Sequence, residues 1–323
     1  MNAQFWKGKR VLITGFEGFL GSNLTRRMIS CGARVVGIDI LVNRKETILE
    51  KDDYKKISVF NDDVSHYGKI KRIVSRFQPE IVFHLAAEAI VGRCNTNPLR
   101  TFTSNIEGTW NVIEILRQES CAKAIVVASS DKAYGSHKIL PYKEDASLSG
   151  NYPYDVSKSC ADLIAYMYHK TYKLPVVVTR CGNIFGPGDY SFSRLVPDAI
   201  RCCLSNKTFS IRSDGKFTRD YVFIDDIIDG FITIAERLQK NKLSGNAFNF
   251  SYEDPLTVFD IVKKIYLLSN VKQNIKVLNE AKYEIKYQYL SSIKARKMLA
   301  WKPRYTLEQG LRKTIAWYKN ILC

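Results

Sequence analysis

The first half of the chain alternates between short apolar runs and longer segments with helical periodicity. The apolar runs are typical of strands buried on both faces of a sheet, and the longer segments are typical of helices that cover it. Strands are predicted near residues 10–14, 34–39, 57–60, 80–85, 123–129 and 175–180. Helices are predicted near residues 19–31, 66–77, 98–119 and 153–173. This alternation predicts an α/β protein with a doubly wound parallel sheet.

A glycine-rich turn joins the first predicted strand to the first predicted helix. In this context Gly15 makes a tight turn, Gly18 lets the backbone approach a pyrophosphate, and Gly21 lets the helix pack closely on the strand. The phosphates would then lie at the positive end of the helix. The segment therefore predicts a dinucleotide site, and we expect Phe19 and Leu20 to contribute to it.

The second predicted strand ends in Asp39. An acidic residue at this place can accept hydrogen bonds from ribose hydroxyls and disfavours a 2′-phosphate, so it predicts NAD as the cofactor rather than NADP. Arg44 and Lys45 follow closely and leave NADP open as the weaker alternative. Strand, glycine turn, helix, second strand and terminal acid together are a much more specific signal than the glycines alone.

Tyr154 and Lys158 are four residues apart in a segment that predicts a helix opened by Pro153. They therefore share one face of that helix, where the nearby cation favours the phenolate of Tyr154. Ser130 can hydrogen-bond to a substrate hydroxyl or ketone. A tyrosine and a lysine at this spacing also occur by chance on many helices. The dinucleotide turn is what favours the catalytic interpretation, an enzyme that oxidises an alcohol with a nicotinamide.

Taken together, these segments resemble the extended short-chain dehydrogenase/reductases of the nucleotide-sugar epimerase/dehydratase family. Within that family, Ser130-Asp131-Lys132 is most similar to the CDP-glucose 4,6-dehydratases. The resemblance implies a Rossmann sheet with a smaller C-terminal substrate-binding region, and a nucleotide-diphosphate sugar as the substrate. The matching segments are residues 14–21, 63–64, 84–87, 104–109, 130–135, 154–158, 180–188, 219–221, 294–296 and 301–303.

The resemblance also implies ligand contacts outside the two motifs. Asp63 would touch the adenine, although it could instead be the N-cap of the helix that follows. Asn183 and Arg219 resemble the family's contacts to the substrate diphosphate, and the planar fork of arginine suits that group. The alternative for Arg219 is a surface pair with Asp220. Further cofactor contacts are implied for Val64, Leu85, Ala86 and Ala87.

Asp131 and Lys132 decide which reaction the resemblance implies. A 4,6-dehydratase oxidises C4, removes the C5 proton, expels the C6 hydroxyl and returns hydride to C6. Asp131 could protonate the leaving hydroxyl, and Lys132 could be the C5 base or could stabilise the enolate. If the two residues are only a structural pair, Ser130, Tyr154 and Lys158 suffice for a 4-epimerase. A non-catalytic NAD-binding regulator would have no need of those three side chains.

The pattern changes after the Gly186-Pro187-Gly188 turn. We expect residues 1–180 and about 221–250 to form the NAD-binding Rossmann domain. We expect residues from about 181–220 and 251–323 to form the nucleotide-sugar-binding region. The elements predicted beyond the turn are a strand at 209–212, a strand at 221–224 and a helix that begins at Asp225-Asp226.

Composition adds limits to this hypothesis. The 323 residues carry a net charge of +17, but the basic residues are dispersed, which favours anionic small ligands over nucleic acid. Eight cysteines are scattered without a ligand-like cluster, so we expect reduced thiols, no metal and a cytoplasmic protein. No stretch is long enough to span a membrane, and no signal peptide is apparent. The apolar faces of the predicted helices at 98–119 and 153–173 suggest a homodimer, as the resemblance also implies.

Overall fold

The computed structural model describes residues 2–238, 242–281 and 284–322. Its strands are β1 (Arg10–Thr14), β2 (Arg34–Asp39), β3 (Ile57–Asn61), β4 (Ile81–His84), β5 (Ala124–Ser130), β6 (Val176–Cys181), β7 (Asn183–Phe185), β8 (Phe209–Ile211), β9 (Thr218–Arg219), β10 (Tyr221–Phe223), β11 (Ala247–Phe250), β12 (Leu256–Thr257), β13 (Ile275–Val277) and β14 (Tyr287–Gln288).

Apart from the predicted helix at 98–119, the helices begin and end close to the predicted limits where a prediction was made. They are α1 (Ala3–Trp6), α2 (Phe19–Ser30), α3 (Lys51–Tyr54), α4 (Tyr67–Phe77), α5 (Val91–Thr96), α6 (Pro98–Phe102), α7 (Gly108–Glu119), α8 (Pro153–Tyr172), α9 (Leu195–Leu204), α10 (Ile224–Leu238), α11 (Val258–Ser269), α12 (Ile293–Leu299) and α13 (Leu307–Leu322). A π-helical segment (Thr103–Glu107) and a 3₁₀ turn (Asp131–Tyr134) are also present.

Seven parallel strands form the main sheet, in the order β3-β2-β1-β4-β5-β6-β11. The first six follow the order 3-2-1-4-5-6 of the Rossmann fold, so the predicted α/β class and doubly wound sheet are confirmed. The order reverses between β1 and β4, where Thr14 pairs with His84 on one side and with Ile38 on the other. Ligands bind at this switch point in doubly wound sheets.

Helices cover both faces of the sheet, which explains why its central strands are apolar throughout. Val11 and Ile13 pack with α2 and α10 on one face, in a core that includes Leu24 and Phe231. Leu12, between them in sequence, packs on the opposite face with α4 and α7. The alternation follows from the two-residue period of a strand.

The segment predicted as a single helix at 98–119 is interrupted by the π-helical segment between α6 and α7. Asn105 lies in that segment, and its side chain is buried. Its Oδ1 accepts a hydrogen bond from the Glu88 amide at 2.7 Å, and its Nδ2 donates to the Ser157 hydroxyl at 2.9 Å. These partners are distant in sequence, so apolar periodicity alone did not reveal the interruption.

The second half of the chain forms smaller sheets beside the carboxyl edge of the main one. β10 covers residues 221–223 of the predicted strand and pairs in parallel with β7, outside the main sheet. The strand that returns to the main sheet is β11, which pairs with β6. β9 lies between β12 and β14, and β8 pairs with β13. Among the described residues, no helix is both long and apolar enough to cross a membrane.

Candidate active site

The glycine-rich turn links β1 to α2 at the carboxyl edge of the sheet. Gly15 has a φ of +72°, a left-handed conformation that favours glycine. A side chain on Gly21 would collide with the carbonyl group of Gly15. α2 begins after Gly18, and no side chain within the described part of the chain caps it there. Phe19 and Leu20, both partly exposed, form its first turn. The positive end of α2 is thus open to an anionic group.

The end of β4 packs directly against this turn. The hydroxyl of Thr14 accepts hydrogen bonds from the amides of Leu85 and Ala86, both at 3.2 Å. A Cβ on Gly15 would lie 2.8 Å from the amide nitrogen of Ala86. Leu85, Ala86 and Ala87 are all partly exposed. The structure therefore places these three predicted residues beside the glycine turn.

Asp39 ends β2 beside the same turn. Its Oδ2 accepts hydrogen bonds from the Glu17 amide at 3.1 Å and from Arg44 Nη2 at 3.4 Å. Burial raises the pKa of Asp39, and Arg44 offsets part of that rise. The carboxylate lies at the predicted place relative to the turn. Its role toward a ribose stays a prediction.

Asp63 and Val64 follow β3. Asp63 Oδ1 accepts hydrogen bonds from the amide and hydroxyl of Ser65, both at 2.9 Å, and its Oδ2 lies 2.8 Å from Arg100 Nη2. Burial acts to raise the pKa of Asp63, but the Ser65 hydrogen bonds and Arg100 lower it overall. The N-cap residue of α4 is His66, so the alternative role of Asp63 as that cap is wrong. Val64 is buried in the core.

Ser130, Tyr154 and Lys158 meet where β5 ends against the start of α8. Lys158 Nζ donates a hydrogen bond to the carbonyl oxygen of Ala128 at 2.8 Å and lies 5.9 Å from the centre of the Tyr154 ring. The Ser130 side chain is hydrogen-bonded to Tyr154. The helix predicted to open at Pro153 does so, which puts Tyr154 and Lys158 one turn apart on it.

Desolvation changes the expected charge of the tyrosine. Burial raises the pKa of Tyr154 well above its ordinary value, and Arg194 and Ser130 offset only part of this. Burial also lowers the pKa of Lys158 to about 8. In this structure the phenol form of Tyr154 is therefore favoured, and the expected effect of Lys158 on the phenolate stays a prediction. Both shifts favour the uncharged form of the side chain. The free energy lost when the charged form is removed from water exceeds the free energy gained from the groups around it.

Asp131 and Lys132 form the 3₁₀ turn directly after Ser130. The Ser130 hydroxyl donates a hydrogen bond to Asp131 Oδ1 at 2.8 Å and accepts one from the Lys132 amide at 3.2 Å. Lys132 Nζ donates instead to Gln288 Oε1, at 3.4 Å. The two side chains thus bond to different partners, which argues against a purely structural Asp131–Lys132 pair.

Two further buried carboxyls, those of Asp155 and Asp220, lie within electrostatic range of Asp131. Burial raises the pKa of Asp131, that of Asp155 to about 6 and that of Asp220 to about 7. One oxygen of each carboxyl has no hydrogen-bond partner among the described residues. Asp155 and Asp220 can therefore hold and release a proton near neutral pH.

Arg219 lies on β9 and Asn183 on β7, strands of two different small sheets. The Arg219 guanidinium donates to two backbone carbonyl oxygens, at 2.9 and 3.1 Å, and lies 3.6 Å from a Glu284 carboxylate oxygen. Asn183 Nδ2 donates to the carbonyl oxygen of Asp220 at 3.3 Å. The Asp220 carboxylate accepts from the Leu290 amide at 2.6 Å, and Arg219 is only 8% exposed. The alternative of a surface pair between Arg219 and Asp220 is therefore wrong.

The structure adds Gln288 and Asp155 to the residues that the sequence suggested. Asp155 follows Tyr154 on α8 and is almost fully buried. The only signal that the sequence offered for it is its position next to Tyr154, in the first turn of α8. Gln288 lies on β14, more than 150 residues after Lys132, and no motif marks it.

Within the described ranges, no group of three His, Cys, Asp or Glu side chains could hold a metal ion.

Comparisons with known proteins agree with this geometry. The sequence profile of the GDP-mannose 4,6 dehydratase family matches residues 12–314. The CDP-glucose 4,6-dehydratase of Salmonella typhimurium is 30% identical, with 99% of this chain and 93% of that protein covered. The UDP-glucose 4-epimerase of Mycolicibacterium smegmatis is 27% identical, with 96% and 99% covered.

A solved structure extends the comparison to three dimensions. The dTDP-glucose 4,6-dehydratase of Bacillus anthracis, crystallised in complex with NAD, superposes with a TM-score of 0.86 at 25% identity over 97% of each chain. The chain belongs to the GDP-mannose 4,6 dehydratase family. The resemblance to the extended short-chain dehydrogenase/reductases that act on nucleotide sugars is thereby confirmed.

Proposed function

We propose that the protein is an NAD-dependent nucleotide-sugar 4,6-dehydratase similar to the CDP-glucose enzymes. The observation that carries this proposal is the position of Asp131 and Lys132, on the turn that begins directly after Ser130 and beside Tyr154. The 30% identity to a CDP-glucose 4,6-dehydratase over 99% of the chain supports it.

The residues around the glycine turn fit NAD. Gly15 and Gly21 leave no room for side chains where a pyrophosphate would approach the amide end of α2. Asp39 offers a carboxylate to the adenosine ribose, and Asp63 lies at the next strand end. Bound NAD would supply the oxidant at C4 of the sugar and the reductant at C6. The NAD complex of the Bacillus anthracis relative supports this assignment.

The remaining chemistry is assigned to side chains of the chain itself. Tyr154, as the phenolate, accepts the proton of the sugar C4 hydroxyl, and Ser130 hydrogen-bonds to the same oxygen. Lys158, anchored to the Ala128 carbonyl, contributes positive charge beside the phenol and can bind the nicotinamide ribose. Burial alone opposes formation of the phenolate. Positive charge near the phenol in the complex with ligands must therefore lower the pKa of Tyr154 before it can accept a proton.

Elimination of water is assigned to the turn after β5. Burial favours the protonated form of Asp131, which can then donate a proton to the departing C6 hydroxyl. Lys132 accepts the C5 proton or stabilises the enolate. Its hydrogen bond to Gln288 holds Nζ in place for either role.

Binding of the substrate diphosphate is assigned to Arg219 and Asn183. Arg219 already uses two of its donors on backbone carbonyl groups, which fixes the plane of its guanidinium beside the acid–base cluster.

We propose that the chain divides into a cofactor domain and a nucleotide-sugar-binding region. The cofactor domain comprises residues 1–180 and about 221–250, and the nucleotide-sugar-binding region comprises residues of about 181–220 and 251–323. β11 on the main sheet and the small sheets beside it support that division.

A mixed panel of nucleotide hexoses, followed by mass spectrometry, tests the reaction. Loss of one water from a substrate is the expected result. An isobaric change that alters chromatographic mobility would instead identify a 4-epimerase, the alternative supported by the Mycolicibacterium relative. An absence of any change, with cofactor bound, would favour a non-catalytic NAD-binding protein.

Retention of the cofactor is tested separately. A dehydratase or epimerase has no net redox change, so catalytic amounts of bound NAD should support many turnovers. A requirement for NADH in proportion to product would contradict both proposals.

A homodimer is proposed from the outer faces of α7 and α8. Trp110 on α7 is 44% exposed, and Leu163, Tyr166 and Met167 on α8 are 55%, 50% and 42% exposed. Apolar side chains grouped on adjacent helices are typical of a subunit interface. Light scattering should show a dimer, and a monomer at every concentration would refute the proposal. The thiols of Cys94, Cys121, Cys160, Cys181, Cys202 and Cys203 support a reducing, cytoplasmic location.

A further inference from the structure

Glu17 lies between the glycines of the cofactor turn and is fully buried. Its Oε1 accepts hydrogen bonds from the Asn43 amide at 2.8 Å and from the Tyr54 hydroxyl at 2.5 Å. A carboxylate is costly to bury unless hydrogen bonds or a cation compensate it. The side chain therefore ties the cofactor turn to the segment that follows β2.

The other oxygen of Glu17 faces Arg44. Arg44 Nε lies 3.8 Å from Glu17 Oε2, and Arg44 Nη2 lies 3.4 Å from Asp39 Oδ2. Glu17 Oε2 and Arg44 Nε are both buried without a hydrogen-bond partner among the described residues. One guanidinium is thus shared by two carboxylates, which leaves an excess of negative charge at the end of β2.

This arrangement bears on the choice between NAD and NADP. An arginine after the second strand is the usual way in which a Rossmann fold accommodates a 2′-phosphate, because its fork binds phosphate oxygens in pairs. Arg44 is such an arginine by position, and the sequence alone left NADP open because of it. In the structure its guanidinium already contacts Glu17 and Asp39.

We propose that Glu17 is a specificity-determining residue for the dinucleotide, because it holds Arg44 away from a 2′-phosphate and adds a second negative charge that repels one. The inference rests on the proposed NAD-dependent function and extends it from Asp39 to a residue within the glycine turn. It predicts that Arg44 contributes to NADP binding only when Glu17 loses its charge.

The test compares dissociation constants for NAD, NADP and adenosine 2′-monophosphate by isothermal titration calorimetry, without substrate. Wild type should prefer NAD. Glu17→Gln should reduce that preference about tenfold, the scale expected for one unit charge a few ångströms from a phosphate. The double variant Glu17→Gln/Arg44→Ala should lose the gain in NADP affinity. Tyr54→Phe, which removes a hydrogen bond but keeps the Glu17 charge, should leave the preference within about twofold.

Equal changes in NAD and NADP affinity for Glu17→Gln would overturn the inference, because they would indicate a purely structural role. Arg44→Ala in the wild-type background gives an independent measurement if Glu17→Gln fails to fold. It should change NADP affinity by less than about threefold, and a loss of more than about tenfold would show that Arg44 already binds the 2′-phosphate.

The same measurements separate this inference from the proposed reaction. A protein that prefers NAD and loses that preference in Glu17→Gln, but dehydrates no nucleotide sugar, would refute the dehydratase and leave the inference supported. A wild type that prefers NADP, or binds neither dinucleotide, would overturn the inference directly.

Discussion

The glycine turn and the acid–base cluster lie at the same edge of the sheet but are built in different ways. The turn comes from one contiguous segment, β1, α2 and β2, within residues 10–39. The cluster combines the end of β5, the start of α8 and the distant strands β9 and β14. A site made from one segment can be inferred from the order of its residues, whereas a site made from four depends on how they pack.

The two regions also differ in what determines their chemistry. At the turn, backbone conformation dominates, as the positive φ of Gly15 illustrates. At the cluster, desolvation dominates, since burial is the largest cause of the pKa shifts of Tyr154, Asp131 and Asp220. Changes at the turn should therefore act on cofactor binding, and changes at the cluster on individual chemical steps.

The largest effect is expected from the cluster, on removal of the Tyr154 hydroxyl. Tyr154→Phe should lower kcat about a thousandfold, within the range for loss of a general base. Absorbance of a reduced nicotinamide should not appear on mixing with substrate, because C4 oxidation lacks its proton acceptor. Tyr172→Phe, a half-exposed tyrosine at the end of the same helix, is the matched control. More than a tenth of wild-type turnover in Tyr154→Phe would exclude the assigned role.

Lys132→Ala should block a later step of the same cluster. Product should form about a hundredfold more slowly, because nothing removes the C5 proton or stabilises the enolate. C4 oxidation should continue through Tyr154, so near-ultraviolet absorbance of the reduced cofactor should accumulate. Lys138→Ala, an exposed lysine nearby, should behave as wild type. Normal turnover in Lys132→Ala, with the fold verified by circular dichroism, would favour the epimerase.

Gly15→Ala tests the turn by backbone strain. It should weaken NAD binding about tenfold, because the left-handed conformation costs an L-residue roughly 1–2 kcal/mol and the new Cβ would meet the Ala86 amide. Gly8→Ala is a matched control, since Gly8 has a φ of +74° and a Cβ added there would meet no atom within 4 Å. Fluorescence titration measures the affinity. If both variants lose NAD affinity equally, the weaker binding of Gly15→Ala comes from the left-handed strain alone and not from the contact of the new Cβ with Ala86.

The smallest effect is expected in the pH dependence of stability. The pKa of Asp220 rises from 3.8 to about 7 on folding, so the folded state binds the proton more tightly and loses stability as the pH rises through that window. Asp220→Asn should therefore raise the melting temperature by about 3 °C at pH 8 and have little effect at pH 4. Asp254→Asn, at an exposed position, is the control. An equal shift at both pH values would contradict the burial argument.

Much of the fold followed from local patterns, and the exceptions have physical reasons. α8 was predicted from Pro153 and the periodicity after it, and β1 and β2 from their apolar runs. The π-helical segment was missed because the bonds of Asn105 to Glu88 and Ser157 are long-range. For the site, the motifs identified Ser130 but not the partner of Lys132.

Local sequence was enough to specify the alternation of strands and helices, the glycine turn with Asp39 after it, and the helical spacing of Tyr154 and Lys158. These features depend on neighbours within a few residues, through side-chain periodicity and backbone conformation. Long-range packing was needed to establish that Lys132 bonds to Gln288, that Glu17 faces Arg44 and that burial raises the pKa of Tyr154. Those outcomes depend on desolvation and on contacts between distant segments, which no local pattern encodes.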